Sequence, residues 1–320
     1  MRSWPDVSDR DNKAMPAHLI HIGFPKCAST FLQHWFADHP QIAYEEGLFG
    51  GVHSAYGLIA DVLAPTDAIV CRVTSAEQLS DPRARATFSE AQVTPLALRH
   101  AWMEKVCLEL AALFPNARIL MITRNQADLA VSGYSQLVKM GGHIRDTDFE
   151  KILGHGLRHI HPFDFDLVLS VYRAHFAGRV LALPFEMLVA DRQAFLDTIA
   201  DFMGVDRRDV AVGRVNESLD AEELYWYPRI SSLLRRAPTE RLRRKLVAMH
   251  CRLIRIGAWR PLLNCLKWAF GAKGTGLSLP PAVRERLVID CEELLKLEHY
   301  APYRALYRGS AGRSASSALR

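Results

Sequence analysis

Lys26, Ser29 and Thr30 follow Gly23-Phe24-Pro25 at a spacing that suits an anion. Ile20 and Ile22 are the β-branched end of a strand, Gly23 and Pro25 break it, and Phe31 to Ala37 has helical spacing. Backbone N–H groups at a helix N-terminus carry partial positive charge and point outward, toward any anion that arrives. Lys26 adds a full charge, and the two hydroxyls add donors. The loop is shorter than the G-x-x-x-x-G-K-[ST] turn of nucleoside triphosphatases, because the lysine comes three residues after Gly23 with no glycine beside it. A Pro-Lys turn capping an ordinary helix is the plain alternative.

Arg124 and Ser132 form a second candidate grip. Ala117 to Arg124 is a near-continuous apolar run of the kind that fully buried parallel strands use. Leu129 to Met140 then shows helical spacing, which places Arg124 at a strand tip and Ser132 in the second helical turn. Both can face a crevice at the carboxyl end of a parallel sheet. Arginine's planar fork meets phosphate oxygens with two parallel hydrogen bonds. An ion pair between Arg124 and Asp128 is the competing explanation. Two carboxylates compete as proton acceptors. Glu77 follows Ala68 to Thr74, read as a strand beside the first, and Glu46 lies in Tyr44-Glu-Glu-Gly-Leu-Phe49, a turn after the first helix. For either, an exposed carboxylate of no special role is the alternative.

The elements that must position these groups alternate strand and helix. We expect an α/β fold with a mostly parallel sheet of about five strands, helices on both faces, and ligand at the strands' carboxyl ends. The 320 residues are enough for one domain, taken as 15–308, with loose tails at 1–14 and 309–320. The six cysteines (27, 71, 107, 251, 265 and 291) are far apart, which favours reduced thiols and a cytoplasmic setting. Residues 1–14 lack an apolar core of the secretory type, and no uncharged apolar run reaches 18 residues. His155, His159 and His161 have no accompanying acidic or cysteine pattern, so no metal is expected.

Charge is unevenly distributed. Between Arg229 and Lys273 twelve Lys/Arg face a single acid, Glu240, while the whole chain is only +5. Apolar residues run through this segment at mostly helical spacing, predicting a basic amphipathic helical insertion at about 229–271. Two readings stay open: an anionic membrane surface or acidic partner, or a flap whose stripe packs on the main body. Nucleic acid is not expected, since no nucleic-acid motif accompanies the charge.

Pro25-Lys26-Cys27-Ala28-Ser29-Thr30-Phe31 resembles the 5′-phosphosulfate loop of sulfotransferases that use 3′-phosphoadenylyl sulfate (PAPS). Arg-Asn-x-x-Asp-x-x-x-Ser-x-Tyr from Arg124 to Tyr134 resembles their 3′-phosphate motif. Val180 to Leu188, Phe195 to Val205, Val215 to Ser218 and Leu279 to Leu297 extend the likeness, which is to bacterial-type members and covers about 17–220 and 272–306. Cys27 and Ala28 depart from the commoner Ser/Thr-Gly. The resemblance implies a P-loop NTPase-like sulfotransferase fold and transfer of a sulfuryl group from PAPS to an acceptor hydroxyl, of a carbohydrate or glycolipid. It implies donor binding by Lys26, Cys27, Ala28, Ser29, Thr30, Arg124 and Ser132, with Lys273 and Gly274 able to close over the 3′-phosphate. It implies Lys26 as the group neutralising the leaving oxygen, Glu77 as base with Glu46 in reserve, and no metal. The partners are then the donor nucleotide and a glycan, glycolipid or other hydroxyl acceptor, with the inner face of the membrane open through 229–271. The rivals are a kinase-like protein using Mg-ATP and a non-catalytic, membrane-associated nucleotide-binding protein.

Overall fold

The structure is a computed structural model that describes residues 16–46, 68–80, 96–145, 148–149, 164–208, 219–274, 279, 284, 287 and 291–308. Five strands, β1 (Ala17–His21), β2 (Ile42–Glu46), β3 (Cys71–Ser75), β4 (Arg118–Thr123) and β5 (Val180–Pro184), form one sheet in the order β2-β3-β1-β4-β5. All four pairings are parallel. Ile119 to Ile122 of β4 are fully buried, as a central parallel strand covered on both faces requires. The order reverses at β1, with β3 on one side and β4 on the other. That is the place where open parallel sheets leave a crevice beyond their carboxyl ends.

Register brings the ends level. His21 pairs with Ser75, Glu46 with Ser75, and Thr123 with Pro184, so the following turns leave the sheet from one edge. Helices α1 (Ser29–Asp38), α2 (Leu96–Leu113), α3 (Gln126–Lys139), α4 (Phe165–His175), α5 (Phe185–Ala190) and α6 (Arg192–Met203) accompany it. Leu32, Trp35 and Phe36 of α1 and Phe195, Leu196 and Ile199 of α6 join the core around the sheet. Burying a side chain such as Phe36 contributes roughly 1.5–3 kcal/mol.

A second apolar cluster forms outside the sheet. Helices α7 (Ala221–Leu234), α8 (Glu240–Arg255) and α9 (Arg260–Phe270) contribute Leu224, Tyr227, Ile254 and Leu263 to it, against Ala127, Ala130, Tyr134 and Val138 of α3. The helical segment starts at Ala221, earlier than the basic run suggests. Asp220 and Glu223 form a capping box there, a signal legible in Asp-Ala-Glu-Glu. Glu46 also differs from expectation: it ends an edge strand rather than lying in a turn, because Ile42-Ala-Tyr44 pairs with β3.

Gly23 is the tightest point between strand and loop. Its φ is +108°, and an added Cβ would stand 2.7 Å from the Glu77 carbonyl oxygen. We expect Gly23→Ala to cost ~2 kcal/mol or more, through strain and the backbone clash together. Urea denaturation measures this; an unchanged midpoint would refute the packing.

Candidate functional site

The turn after β1 is bound on both sides. Phe24 N donates to Ile122 O and Ile122 N to Gly23 O, at 2.8 and 2.7 Å, extending the pairing with β4 beyond the strand. Ser80 N donates to Ile22 O at 3.0 Å, which ties in the 3₁₀ turn Glu77–Ser80 after β3. The chain then passes through Lys26 and Ala28, both with positive φ (68° and 65°), before α1 begins. Non-glycine residues hold that conformation at a cost of order 1–3 kcal/mol each, and such strain collects at functional sites. Ala28 caps α1 without a side-chain hydrogen bond, so the helix's first amides are left to other acceptors.

Lys26 is half-buried, and its Nζ donates to Gln136 Oε1 at 3.1 Å. Burial lowers its pKa first, Lys139 and Arg124 press it down further, and Glu77 partly holds it up. Arg124 Nη1 makes a long contact, 3.5 Å, to the Lys26 carbonyl oxygen. Its guanidinium lies 4.6 Å over the Phe185 ring, and its Nε is buried without a partner. Arg124 is not paired with Asp128. Asn125 takes that aspartate instead, with its Nδ2 donating to Asp128 Oδ2 at 2.8 Å and its Oδ1 accepting from Asp128 N at 3.0 Å. The Lys26 loop and the Arg124 side chain are therefore neighbours beyond the ends of β1 and β4.

Glu77 is the carboxylate beside them. Burial pushes its pKa above the usual carboxylate range, while the Ser29 hydroxyl and the Lys26 ammonium pull it part of the way back. Ser29 is buried, and its Oγ makes no well-aligned hydrogen bond although Glu77 is near enough to feel it. That hydroxyl can turn toward either group. Cys27 is wholly buried, its thiol directed at the Pro25 carbonyl (3.7 Å) and its pKa raised well above normal by burial, while its amide donates to Phe24 O at 3.2 Å. Thr30 opens α1 next to Ser29. Ser132 is buried on α3, one turn before Gln136 and two before Lys139, on a common helical face.

The other residues expected at the site lie elsewhere. Lys273 N and Gly274 N both donate to Glu222 Oε1 at 2.8 Å, which anchors them to the start of α7. No hydrogen bond or ion pair among the described residues joins them to Lys26 or Arg124. The Glu46 side chain, His155, His159, His161, Val215 to Ser218 and residues 275–278 lie outside the described residues. Among the described residues no cluster of three or more metal-type ligands occurs, and all six cysteines are free.

Sequence reasoning missed Gln136, Lys139 and Phe185 as site residues, and gave Glu186 no role of its own. Gln136 and Lys139 were findable, since they recur at i+4 and i+7 from Ser132. Glu186 was not. Its Oε1 accepts from Asn125 N (3.0 Å) and Nδ2 (3.1 Å), and its Oε2 from Tyr307 OH (2.7 Å). Thr123 Oγ1 shares hydrogen bonds with Tyr300 and Tyr307. This buried network braces the strand tip that carries Arg124.

A family model described as "Sulfotransferase family" matches residues 19–209. A solved structure, that of a sulfotransferase from Alicyclobacillus acidocaldarius, is similar with 17% identity, covering 77% of this chain and 99% of that one at a TM-score of 0.42. No curated protein matches by sequence.

The raised pKa of Glu77 has a measurable sign. Its neutral form is the one that folding favours, so that contribution is full below the unfolded pKa and is lost as pH rises through the higher folded value. Glu77→Gln should therefore gain stability relative to the wild type as pH goes from about 4 to 8. Thermal melts across that range check it; a variant that loses stability relative to the wild type as pH rises would contradict the geometry.

Proposed function

The chain belongs to the sulfotransferase family, and on that premise we propose that it moves the sulfuryl group of PAPS to a hydroxyl of a carbohydrate or glycolipid. The observation that supports the donor assignment is the contact of Arg124 with the Lys26 loop, with Lys139 close enough to Lys26 to depress its pKa. A donor with a phosphosulfate at one end and a 3′-phosphate at the other needs two such grips. Amides from Ala28 to Thr30 and the Ser29 and Thr30 hydroxyls suit the 5′-phosphate, with Cys27 holding the turn through its bond to Phe24 O. Arg124 and Ser132 suit the 3′-phosphate, with Lys273 and Gly274 as a closing element.

The reaction is an in-line displacement at sulfur. The acceptor oxygen forms a bond to sulfur as the bond from sulfur to the phosphate oxygen breaks, and that oxygen keeps the electron pair. Lys26 neutralises the charge arriving there. Glu77 takes the acceptor's proton, and a carboxyl raised toward neutrality is a better base than an exposed one. Glu46, at the end of the neighbouring strand, is the reserve candidate. The products are a sulfate ester and adenosine 3′,5′-bisphosphate. No step calls for a metal. A cytoplasmic enzyme, working at the inner face of a membrane on a lipid-linked sugar, fits this reading.

Five outcomes are expected. Adenosine 3′,5′-bisphosphate without magnesium should raise the melting temperature, by the equivalent of ~2.7 kcal/mol at a hundred times its Kd, while Mg-ATP should not; the reverse preference would favour a phosphotransferase. Transfer of radiolabelled sulfate from PAPS to extracts of the source cell should label a glycan or glycolipid. In that assay Lys26→Ala and Glu77→Gln should each lower kcat by roughly 10²–10³. Arg124→Ala should act mainly on the KM for PAPS. The pH profile should show an acid limb above the usual carboxylate range, and should lose it in Glu77→Gln.

A further inference from the structure

Helix α9 is apolar on nearly every side. Leu263 is buried and Leu266 half-buried in the second cluster, yet Pro261, Cys265 and Trp268 on the opposite face, and Leu262 and Ala269 at its border, are exposed. Trp268 is 90% exposed and Phe270, at the helix end, 60%. No charged residue stands on that outward arc, because Arg260 and Lys267 fall nearer the Leu263 side of the helix. A helix apolar all round is normally an interior one.

The helix before it repeats the pattern. Leu242, Leu246, Met249, Leu253 and Ile256 recur at alternating spacings of four and three along α8, the spacing of a seam that packs on something else. Met249 is 50% and Ile256 66% exposed, and Leu246 and Leu253 are only half-buried. Next to this seam on the solvent side stand Arg241, Lys245 and Arg252, then Arg244 and Arg255, all exposed. The helix's one acid, Glu240, is already paired with Arg243 and Arg244.

The charges decide the occupant. A second copy packed seam to seam would set Lys245 and Arg252 against cations, with no acid at the flanks to answer them. An anionic lipid surface satisfies both features: apolar side chains enter the boundary between headgroups and acyl chains, and the arginines meet phosphates. Tryptophan, with a large apolar body and one N–H, favours that boundary. We propose that α8 and α9 form a docking surface for anionic membranes, with Trp268 and Phe270 as inserted anchors and the α8 cations as the electrostatic contact. No described helix is long and apolar enough to cross a bilayer, so the attachment is peripheral. The inference stands apart from the sulfuryl-transfer chemistry, because none of these residues lies at the Lys26 site.

Full-length protein, mixed with vesicles of phosphatidylcholine with or without phosphatidylglycerol and then sedimented, tests this directly. Binding should require phosphatidylglycerol and weaken as salt is added. Trp268→Ser with Phe270→Ser should weaken it about tenfold, and Arg241→Glu with Lys245→Glu and Arg252→Glu on the order of a hundredfold or more. All five positions are on the surface, so melting temperatures and circular dichroism should match the wild type, separating lost docking from lost folding. Wild-type protein that ignores phosphatidylglycerol, or variants that bind as well as it does, would overturn the proposal. So would a wild-type dimer in sedimentation velocity that Trp268→Ser converts to monomer, since the face would then be covered by a second copy.

Discussion

A short backbone seam beyond the ends of β1 and β4 is what the rest of the site depends on. Strand pairing does not stop at His21: Ile22 N bonds to Leu120 O, Phe24 N to Ile122 O, and Ile122 N to Gly23 O. This continuation lays the loop of Lys26 across the tip that ends in Arg124. On the other side Ala76 N bonds to His21 O and Ser80 N to Ile22 O, which draws in Glu77. Three strand ends, far apart in the chain, thus deliver a lysine, a carboxylate and an arginine to one place. The space between them is so small that only a residue without Cβ fits at position 23.

The cations are positioned by partners that leave their charge uncancelled. Lys26 is oriented by an amide, Gln136, and Arg124 by an aromatic face and a backbone carbonyl. Glu186, which could have neutralised Arg124, directs both carboxylate oxygens to Asn125 and Tyr307. Among the described residues no salt bridge joins Lys26 or Arg124 to an acid. Positive groups crowded together at partial burial repel one another, and folding bears that cost. A polyanionic ligand returns it on binding, and oriented charge of this kind is the largest single contribution most enzymes make to group transfer.

Helix α3 connects this chemistry to the basic helices. Ser132, Gln136 and Lys139 share one of its faces, while Ala127, Ala130, Tyr134 and Val138 occupy the opposite one and join the cluster of α7, α8 and α9. At its end the chain passes so close to α8 that a Cβ on Gly141 would stand 2.9 Å from both Cys251 Sγ and Val247 Cγ1. Ser231 Oγ and Arg235 Nη2 donate to the Gly141 carbonyl oxygen. The packing reading of the basic segment is the one seen in the fold. Its inner stripe packs on the body, and its outer face keeps apolar residues and arginines in solvent.

Local patterns carried most of what could be read in advance. The apolar run before Arg124, the broken strand before Lys26 and the helical spacing after each are properties of neighbouring residues, so the parallel sheet and the placing of Lys26 and Arg124 just beyond strand ends were legible in the chain. Distance-dependent facts were not. Glu186 as a brace, Phe185 beneath Arg124 and Thr123 bonded to two tyrosines about 180 residues later depend on packing between remote segments. Asp128's choice of Asn125 over Arg124 is likewise a contest among donors that only folded positions resolve. Residue order determined which groups could grip an anion. Folding alone decided which of them stand together and what each is left free to bind, because a charge's partners are set by proximity in space rather than along the chain.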